Sequence, residues 1–293
     1  MSAPETALAF VCQEQTLVGI LHHSNSSAKV GVLVVVGGPQ YRVGSHRQFV
    51  SLARTLANNG VPVFRFDCRG MGDSEGRFIS FEAIGADIKA AIDEFMRQSP
   101  GLEQVVIWGL CDGASAACFY GAGDERVNGL VLVNPWVRTE QGEAKAYIKH
   151  YYLSRILSRA FWQKVFSGQF DLTSSIKSLR NLLQRSAAKP SDEQQSSKRV
   201  DSQQDIALQA QALPERVFDG LRKFQGRVLL VISGRDLTAA EFLDAANQNK
   251  KRKRLLEAKQ ITRFDLPDAD HTFSSQNWKK AVSEKTLEWL RSL

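Results

Sequence analysis

Three residues whose types suit acyl-group chemistry each follow an apolar run in this sequence. Residues 109–113 read GLCDG, which places Cys111 between two glycines at the end of an apolar run. Asp236 follows the run RVLLVIS within GRDLT, and His271 follows ITRFDLP within DADHTF. A thiol becomes an effective nucleophile when a neighbouring base takes its proton and a third group orients that base. The three residues therefore indicate nucleophilic catalysis.

The glycines on either side of Cys111 favour a strained turn between a strand and a helix. Side chains at positions 109 and 113 would collide with neighbouring backbone in such a turn. The helix that follows would direct its N–H groups at the sulfur. We expect this field to lower the pKa of Cys111 below the free value of about 8.5. If Cys111 were instead an inert thiol in the core, the two flanking glycines would have no structural role.

The elements that must hold these residues alternate between strands and helices. Apolar runs predict eight strands, which read LAFVCQ, TLVGILHH, KVGVLVVVGG, VPVFRFD, QVVIW, GLVLVNP, RVLLVIS and ITRFDLP. Helical spacing predicts helices in HRQFVSLARTLANNG, in FEAIGADIKAAIDEFMRQ, after Cys111, from about Thr238, and in WKKAVSEKTLEWLRSL. This order predicts an α/β fold with a mostly parallel central sheet, right-handed crossovers and flanking helices.

The alternation breaks after GLVLVNP and resumes at RVLLVIS. Residues from 136 to about 185 are aromatic, basic and helical in spacing. Residues 186–205 are polar and low in complexity, which predicts a mobile loop. We therefore predict one core domain that is interrupted by a helical cap. The core comprises residues 1–136 and 214–293, and the cap comprises residues 137–213.

The cysteines and histidines favour neither a disulfide framework nor a metal site. The four cysteines lie at 12, 68, 111 and 118 without a CxxC pair, and the five histidines have no metal-ligand spacing with them. We expect reduced thiols, no metal and no cofactor. We also expect Cys12, Cys68 and Cys118 to be packing residues.

The formal net charge of +7 is concentrated in one stretch. Residues 138–185 hold nine Lys or Arg against three acidic residues, interleaved with aromatic residues and leucine. We expect this stretch either to be a solvated helical insertion or to contact an anionic membrane surface. The basic cluster NKKRKR is expected to lie at a solvated helix end, so we predict no nucleic-acid partner.

No segment has the features of an export signal or a membrane span. The N-terminal residues MSAPETALAF lack a basic segment followed by an apolar run. No stretch approaches the ~18 apolar residues of a spanning helix. We predict a cytoplasmic protein, and the basic stretch raises the alternative of peripheral contact at the inner membrane.

Five phrases together resemble the α/β-hydrolase superfamily: VGGPQYRVGSHRQF, FRFDCRGMGDSEG, GLCDG, GRD and DADHTF. The serine-aminopeptidase-like and dienelactone-hydrolase-like branches are the most similar. More narrowly, GGPQYR, FDCRGMGDSEG and the basic insertion resemble the hydrolase 1 family associated with the exosortase A system. Members of that family accompany membrane exosortases and exopolysaccharide genes in Gram-negative bacteria. The resemblance implies an α/β-hydrolase fold and cleavage of an ester, thioester or related acyl bond.

The resemblance implies a role for each residue of the triad. Cys111 would be the nucleophile and carry a cysteinyl acyl-enzyme. His271 would take the thiol proton and later activate water, and Asp236 would fix the imidazole tautomer. Their order along the chain matches that of the superfamily. Glu241 is the alternative acid.

The resemblance also implies an oxyanion hole with two donors. The first is the N–H of Asp112, directly after the nucleophile. Comparison of VGGPQ with the superfamily's HGGPG selects the N–H of Gly38 as the second, because Pro39 has none. Val36 replaces the usual histidine and Gln40 replaces a glycine, and the Gln40 side chain is an alternative amide donor.

Three interpretations of function follow. The complete Cys-His-Asp set favours catalysis on a small-molecule or lipid-like acyl substrate. The alternatives are a non-catalytic accessory subunit of the membrane export machinery and an acyltransferase that uses an acceptor other than water. The cap aromatics would form either the acyl pocket or the cap's own core, and they are Tyr151, Tyr152, Phe161 and Trp162.

Two expectations concern residues outside the triad. His46 precedes a helix near the glycine turn, so it either lines the pocket or packs at the helix start. Asp67 and Arg69 are expected to pair and hold the glycine-rich loop CRGMGDSEG, without a catalytic role.

Overall fold

The computed structural model describes residues 3–24, 28–38, 40–138 and 212–293 of the chain. The predicted cap at 137–213 lies outside these residues except at its ends. The predicted mobile loop at 186–205, nearly all of the basic stretch 138–185 and the four cap aromatics also lie outside them. The expected roles of the cap and of the basic stretch therefore remain predictions.

Eight strands of the described residues form a single sheet. They are β1 (Glu5–Cys12), β2 (Gln15–His22), β3 (Val30–Val35), β4 (Val63–Phe66), β5 (Gln104–Leu110), β6 (Val127–Val133), β7 (Arg227–Arg235) and β8 (Ile261–Asp270). Their order across the sheet is β1-β2-β4-β3-β5-β6-β7-β8. β2 runs antiparallel to β1 and β4, and all other neighbours are parallel. The predicted α/β-hydrolase fold is confirmed.

Seven α-helices of the described residues connect and flank the strands. They are α1 (Gln48–Asn58), α2 (Gly85–Gln98), α3 (Asp112–Gly121), α4 (Leu213–Lys223), α5 (Leu237–Asn247), α6 (Lys250–Leu256) and α7 (Gln276–Leu290). The basic cluster was expected at the end of a helix, but it forms a separate helix, α6. The Asn249 side chain caps the start of α6 by accepting the Lys251 N–H at 2.8 Å. Within the part of the chain that the structure describes, no helix is long and apolar enough to cross a membrane.

The core lies on both sides of the central parallel strands. β3, β5 and β6 are buried along almost their whole length, and β7 is buried from Val228 to Ser233. Helices α1 and α7 pack together, and α3 packs with α2 and α4. Helix α1 presents Phe49, Leu52 and Leu56 to the core at the predicted helical spacing. These buried strands fix the edge of the sheet from which β5, β7 and β8 lead into the three predicted catalytic residues.

The expected pairing of Asp67 with Arg69 is wrong. Asp67 instead forms an ion pair with Arg42 and accepts the Arg42 N–H at 2.6 Å and the Asp73 N–H at 3.1 Å. Arg69 donates from Nε to Asp87 Oδ1 at 2.5 Å. Neighbouring positions in this loop therefore face different elements, and Asp67 holds the loop through backbone N–H groups.

Candidate active site

Cys111 lies in a tight turn between β5 and α3. Its backbone has φ 61° and ψ −124°, a conformation that costs a non-glycine residue of order 1–3 kcal/mol. The Cys111 N–H donates to Val133 O at 2.9 Å, and the Trp136 N–H donates to Cys111 O at 3.1 Å. These bonds hold the strained turn at the carboxyl edge of the sheet, where ligands of open parallel sheets bind.

The two glycines beside Cys111 are sterically required. A Cβ at Gly109 would lie 2.5 Å from the carbonyl carbon of Gly113, and a Cβ at Gly113 would lie 2.5 Å from Val35 O. Neither backbone atom can move away as a flexible side chain could. The steric explanation predicted from the sequence is confirmed, and it accounts for how α3 can start so close to β3.

Asp236 and His271 meet across the ends of two neighbouring strands. Asp236 follows β7 and His271 follows β8, and His271 Nδ1 lies 2.8 Å from Asp236 Oδ2. The other carboxylate oxygen of Asp236 accepts the Thr238 N–H at 2.9 Å. A carboxylate accepts only, so the pair places a proton on Nδ1 and leaves Nε2 able to accept. The Asp236 side chain is 5% exposed and that of His271 is 32% exposed, which suits a fixed acid and an accessible base.

Glu241, the alternative acid, is engaged elsewhere. Its carboxylate accepts a hydrogen bond from Arg138 Nε at 3.0 Å, and its side chain is buried. Asp236 is the carboxylate that hydrogen-bonds to His271.

One cavity brings the predicted nucleophile, the predicted base and the oxyanion candidates together. Its volume is about 320 Å³. Among the described residues it is lined by Gly37, Gly38, Gln40, Phe49, Phe81, Leu110, Cys111, Asp112, Trp136 and His271. The aromatic and aliphatic side chains give it apolar walls, and its polar lining residues include Gln40, Asp112 and His271.

Two larger grooves of the described residues lack the nucleophile. One, of about 530 Å³, borders Asp236 on the side of Arg263 and Asp265. The other, of about 430 Å³, contains His46 beside Lys279. Neither contains Cys111, so the smaller cavity is the candidate active site. His46 is exposed and lines the second groove instead of the Cys111 cavity.

The Asp112 carboxylate binds one of the predicted oxyanion donors and a further N–H at the start of α3. The Gly38 N–H donates to Asp112 Oδ2 at 2.6 Å, and the Gly113 N–H donates to Asp112 Oδ1 at 3.1 Å. Burial raises the pKa of the Asp112 carboxyl, and these N–H groups offset part of the increase. Gln40 also lines the cavity, and its Oε1 is buried with no hydrogen-bond partner in the described structure.

The pKa of Cys111 is raised, so the expected lowering is wrong. Burial, and next the charge of Asp112, raise the pKa of the thiol to about 12. The Asp112 N–H and the charge of Arg138 act in the opposite direction but are weaker. Desolvation of the thiolate and the charge of Asp112 therefore outweigh the hydrogen bond from the Asp112 N–H at the start of α3. Cys111 is therefore a neutral thiol near neutral pH, and a reaction at its sulfur would need a base to take the proton.

We predict that iodoacetamide labels Cys111 slowly at about pH 7 and about tenfold faster for each unit of pH up to about pH 9. The thiolate is the reactive form, and its fraction rises tenfold per unit below the pKa. Cys111 is half-buried, whereas Cys12, Cys68 and Cys118 are buried, so labelling should map to Cys111. The measurement is peptide mapping with Cys111→Ser as the control. A labelling rate that does not increase with pH above about pH 7 would show that Cys111 is already a thiolate, and would contradict the raised pKa.

Sequence reasoning missed three contributors to this site. They are the Asp112 side chain, Trp136, and Arg138, whose guanidinium carbon lies 4.5 Å from the Trp136 ring centre. Trp136 and Arg138 could have been found, because they directly follow β6, which neighbours β5, and the carboxyl ends of parallel strands share one edge. No comparable sequence pattern predicts the direction of the Asp112 side chain.

The described residues contain no group of three or more His, Cys, Asp or Glu side chains arranged to hold a metal ion. The order and directions of the eight strands define an α/β-hydrolase fold. The family described as Serine aminopeptidase, S33, matches residues 29–258, and the chain belongs to this hydrolase family. The match includes Cys111 and Asp236 and ends before His271. A search of curated proteins finds no match.

Solved structures similar to this chain share its fold at low sequence identity. The esterase Pf2001 of Pyrococcus furiosus has a TM-score of 0.64 at 14% identity, over 99% of this chain and 91% of that chain. Est1E of Butyrivibrio proteoclasticus, with ferulic acid bound, has a TM-score of 0.63 at 16% identity, over 98% of each chain. A dienelactone hydrolase of Anabaena variabilis has a TM-score of 0.60 at 16% identity, over 100% of this chain and 99% of that chain.

Proposed function

We propose that the protein hydrolyses an ester or thioester through a cysteinyl acyl-enzyme formed on Cys111. The observation that carries this proposal is one cavity that holds both the strained Cys111 and His271, the latter bonded to Asp236 at 2.8 Å. Membership of a hydrolase family supports hydrolysis. The names of similar structures, which include esterases and a dienelactone hydrolase, support an ester-like substrate.

The first half of the reaction transfers the acyl group to sulfur. His271 Nε2 takes the Cys111 thiol proton while the sulfur attacks the carbonyl carbon, because the raised thiol pKa leaves almost no standing thiolate. Asp236 stabilises the imidazolium that forms. The carbon–oxygen or carbon–sulfur bond to the leaving group then breaks, and the leaving group receives the proton from His271.

The second half returns the enzyme to its free state. His271 takes a proton from water as the water oxygen attacks the thioester carbon. The carbon–sulfur bond breaks, the acid product leaves, and Cys111 recovers its proton from His271. The same base therefore serves both halves, and each half passes through an oxyanion next to Asp112 and Gly38.

The cavity walls favour an apolar acyl group. Phe49, Phe81, Leu110 and Trp136 line the volume of about 320 Å³ beside Cys111. A short or medium acyl chain can remove these surfaces from water, at about 25 cal/mol for each Å² buried.

The proposal is tested by pre-steady-state hydrolysis of p-nitrophenyl esters of increasing acyl length. We expect a rapid burst of nitrophenol, equal to the amount of enzyme, and then slower turnover as the thioester is hydrolysed. Cys111→Ala gives the background rate. The absence of both burst and turnover with every ester and with acyl thioesters would favour the accessory-subunit alternative. An acyl adduct on Cys111 that an added alcohol or amine removes, but water does not, would favour the acyltransferase.

We also infer that the chain belongs to the hydrolase 1 family of exosortase A systems and works beside the inner membrane. The phrases GGPQYR and FDCRGMGDSEG and the basic stretch 138–185 support this narrower assignment. Three or four basic residues at an anionic leaflet would contribute about 1 kcal/mol each. Co-sedimentation with anionic but not neutral vesicles, reduced at high salt, is expected. If the protein co-sediments equally little with anionic and neutral vesicles, the proposed membrane contact is refuted.

A further inference from the structure

The Asp112 carboxylate lies where an oxyanion would have to bind. The Gly38 N–H, one of the two backbone donors predicted for the substrate oxygen, donates to Asp112 Oδ2 at 2.6 Å. The other predicted donor is the N–H of Asp112 itself, on the same residue as the carboxylate. Gly113 adds a third N–H, at 3.1 Å from Oδ1. An anion of the protein therefore takes the donors that an anionic substrate oxygen needs.

The glycine turn is shaped to receive this carboxylate. A Cβ at Gly37 would lie 1.8 Å from Asp112 Oδ1, so any side chain at 37 would push the carboxylate away. Gly38 has φ +62°, and a Cβ there would still lie 3.9 Å from Oδ2. Gly37 thus leaves the space that the carboxylate fills, and Gly38 turns its N–H toward it.

The occupied Gly38 N–H and the carboxylate that fills the space beside Gly37 both affect the chemistry of Cys111. A carbonyl oxygen can accept the Gly38 N–H only after the Asp112 carboxylate leaves it. If the carboxylate stayed close, it would repel the negative charge that develops on the oxygen during attack. The occupied hole therefore opposes acylation of Cys111.

We propose that Asp112 closes the oxyanion hole of the substrate-free enzyme, and that a substrate reacts only by displacing the Asp112 carboxylate from the Gly38 N–H. This inference rests on the proposed function, because the oxyanion arises from attack by Cys111. Asp112 is then a specificity-determining residue that slows acylation of simple esters. The competing explanation is that Asp112 only braces the glycine turn, and the two explanations predict rate changes of opposite sign.

The test compares Asp112→Ala, which removes the carboxylate, with Asp112→Asn, which keeps its shape without the charge. We expect Asp112→Ala to raise the acylation rate constant for p-nitrophenyl acetate by about 10- to 100-fold, the worth of one hydrogen bond to a charged group. Asp112→Asn should give a smaller increase. Unchanged or slower acylation in both variants would overturn the proposal and favour the bracing role.

A second readout isolates the oxyanion hole from the reactivity of the thiol. An alkyl trifluoromethyl ketone adds to the Cys111 sulfur and forms an oxyanion, whereas iodoacetamide alkylates the same sulfur without one. We expect Asp112→Ala to tighten ketone binding by more than it speeds alkylation. If the affinity for the ketone and the rate of alkylation increase by the same factor, Asp112 acts only on the thiol, and the proposal is overturned. If Asp112→Ala does not fold, Asp112→Asn decides alone: acylation at or below the wild-type rate overturns the proposal.

The proposed function and the closed oxyanion hole are refuted by different results. A wild-type protein that never acylates Cys111 refutes the proposed function, and the closed oxyanion hole with it. A wild-type burst at Cys111, without any gain in the Asp112 variants, refutes only the closed hole.

Discussion

Replacing His271 with alanine is expected to lower turnover of a p-nitrophenyl ester by about 10⁴-fold or more. The loss should be this large because both halves of the reaction need the same base. Burial and Asp112 hold the Cys111 thiol in its neutral form, with a pKa of about 12, and the thioester needs activated water. The His271 ring is partly exposed and hydrogen-bonds to Asp236. The free energy of unfolding should therefore fall by less than about 2 kcal/mol.

His46→Ala is the matched control for this variant. His46 is an exposed histidine in a different groove, and we expect it to keep the wild-type rate. Both variants are measured by steady-state hydrolysis, with thermal unfolding to confirm the fold. The residual rate of His271→Ala should rise with pH, since hydroxide can then deprotonate the thiol. A His271→Ala rate within about tenfold of wild type would contradict His271 as the base.

Asp236→Asn is expected to lower turnover by about 10⁴-fold, by analogy with the serine triad. The Asp236 carboxylate accepts from His271 Nδ1 at 2.8 Å, which leaves Nε2 able to accept, as the proposed base must. An amide at 236 can donate to Nδ1 instead, and this moves the imidazole proton to Nε2. The ring would then have no lone pair available for the thiol, although the shape of the site is unchanged.

Glu241→Gln is the control for the acid, because Glu241 was the alternative in the sequence. Its carboxylate is bound to Arg138 at 3.0 Å, so we expect activity within about tenfold of wild type. Steady-state kinetics of the two amide variants gives a direct comparison. A large loss in Glu241→Gln with near-normal activity in Asp236→Asn would move the acid to Glu241.

The sequence predicted those parts of the fold that depend on local pattern. The buried β-branched runs predicted the parallel strands, and the flanking glycines predicted the turn at Cys111, because both depend on residues close together in the chain. The meeting of Asp236 with His271 was predicted from their places after β7 and β8, combined with the resemblance to the superfamily.

The incorrect predictions about the site and the neighbouring glycine-rich loop concerned where a side chain points or how well it is solvated. Asp67 pairs with Arg42 instead of Arg69, since neighbouring loop residues face different elements. The pKa of Cys111 is raised, because burial, which depends on the packing of distant segments, outweighs the local hydrogen bond from the Asp112 N–H. The Asp112 side chain turns back onto Gly37 and Gly38, more than seventy positions earlier in the chain. No local pattern encodes such contacts.

The central claim is that a thioester forms on Cys111, and rapid-quench mass spectrometry of the wild-type protein tests it most directly. The protein is mixed with a short-chain p-nitrophenyl ester, quenched in acid during the burst, and mapped by peptide digestion. We predict one added acyl group on the peptide that contains Cys111, released by hydroxylamine and absent from Cys111→Ala. An acyl group on another residue, or steady turnover without any adduct on Cys111, would contradict the account.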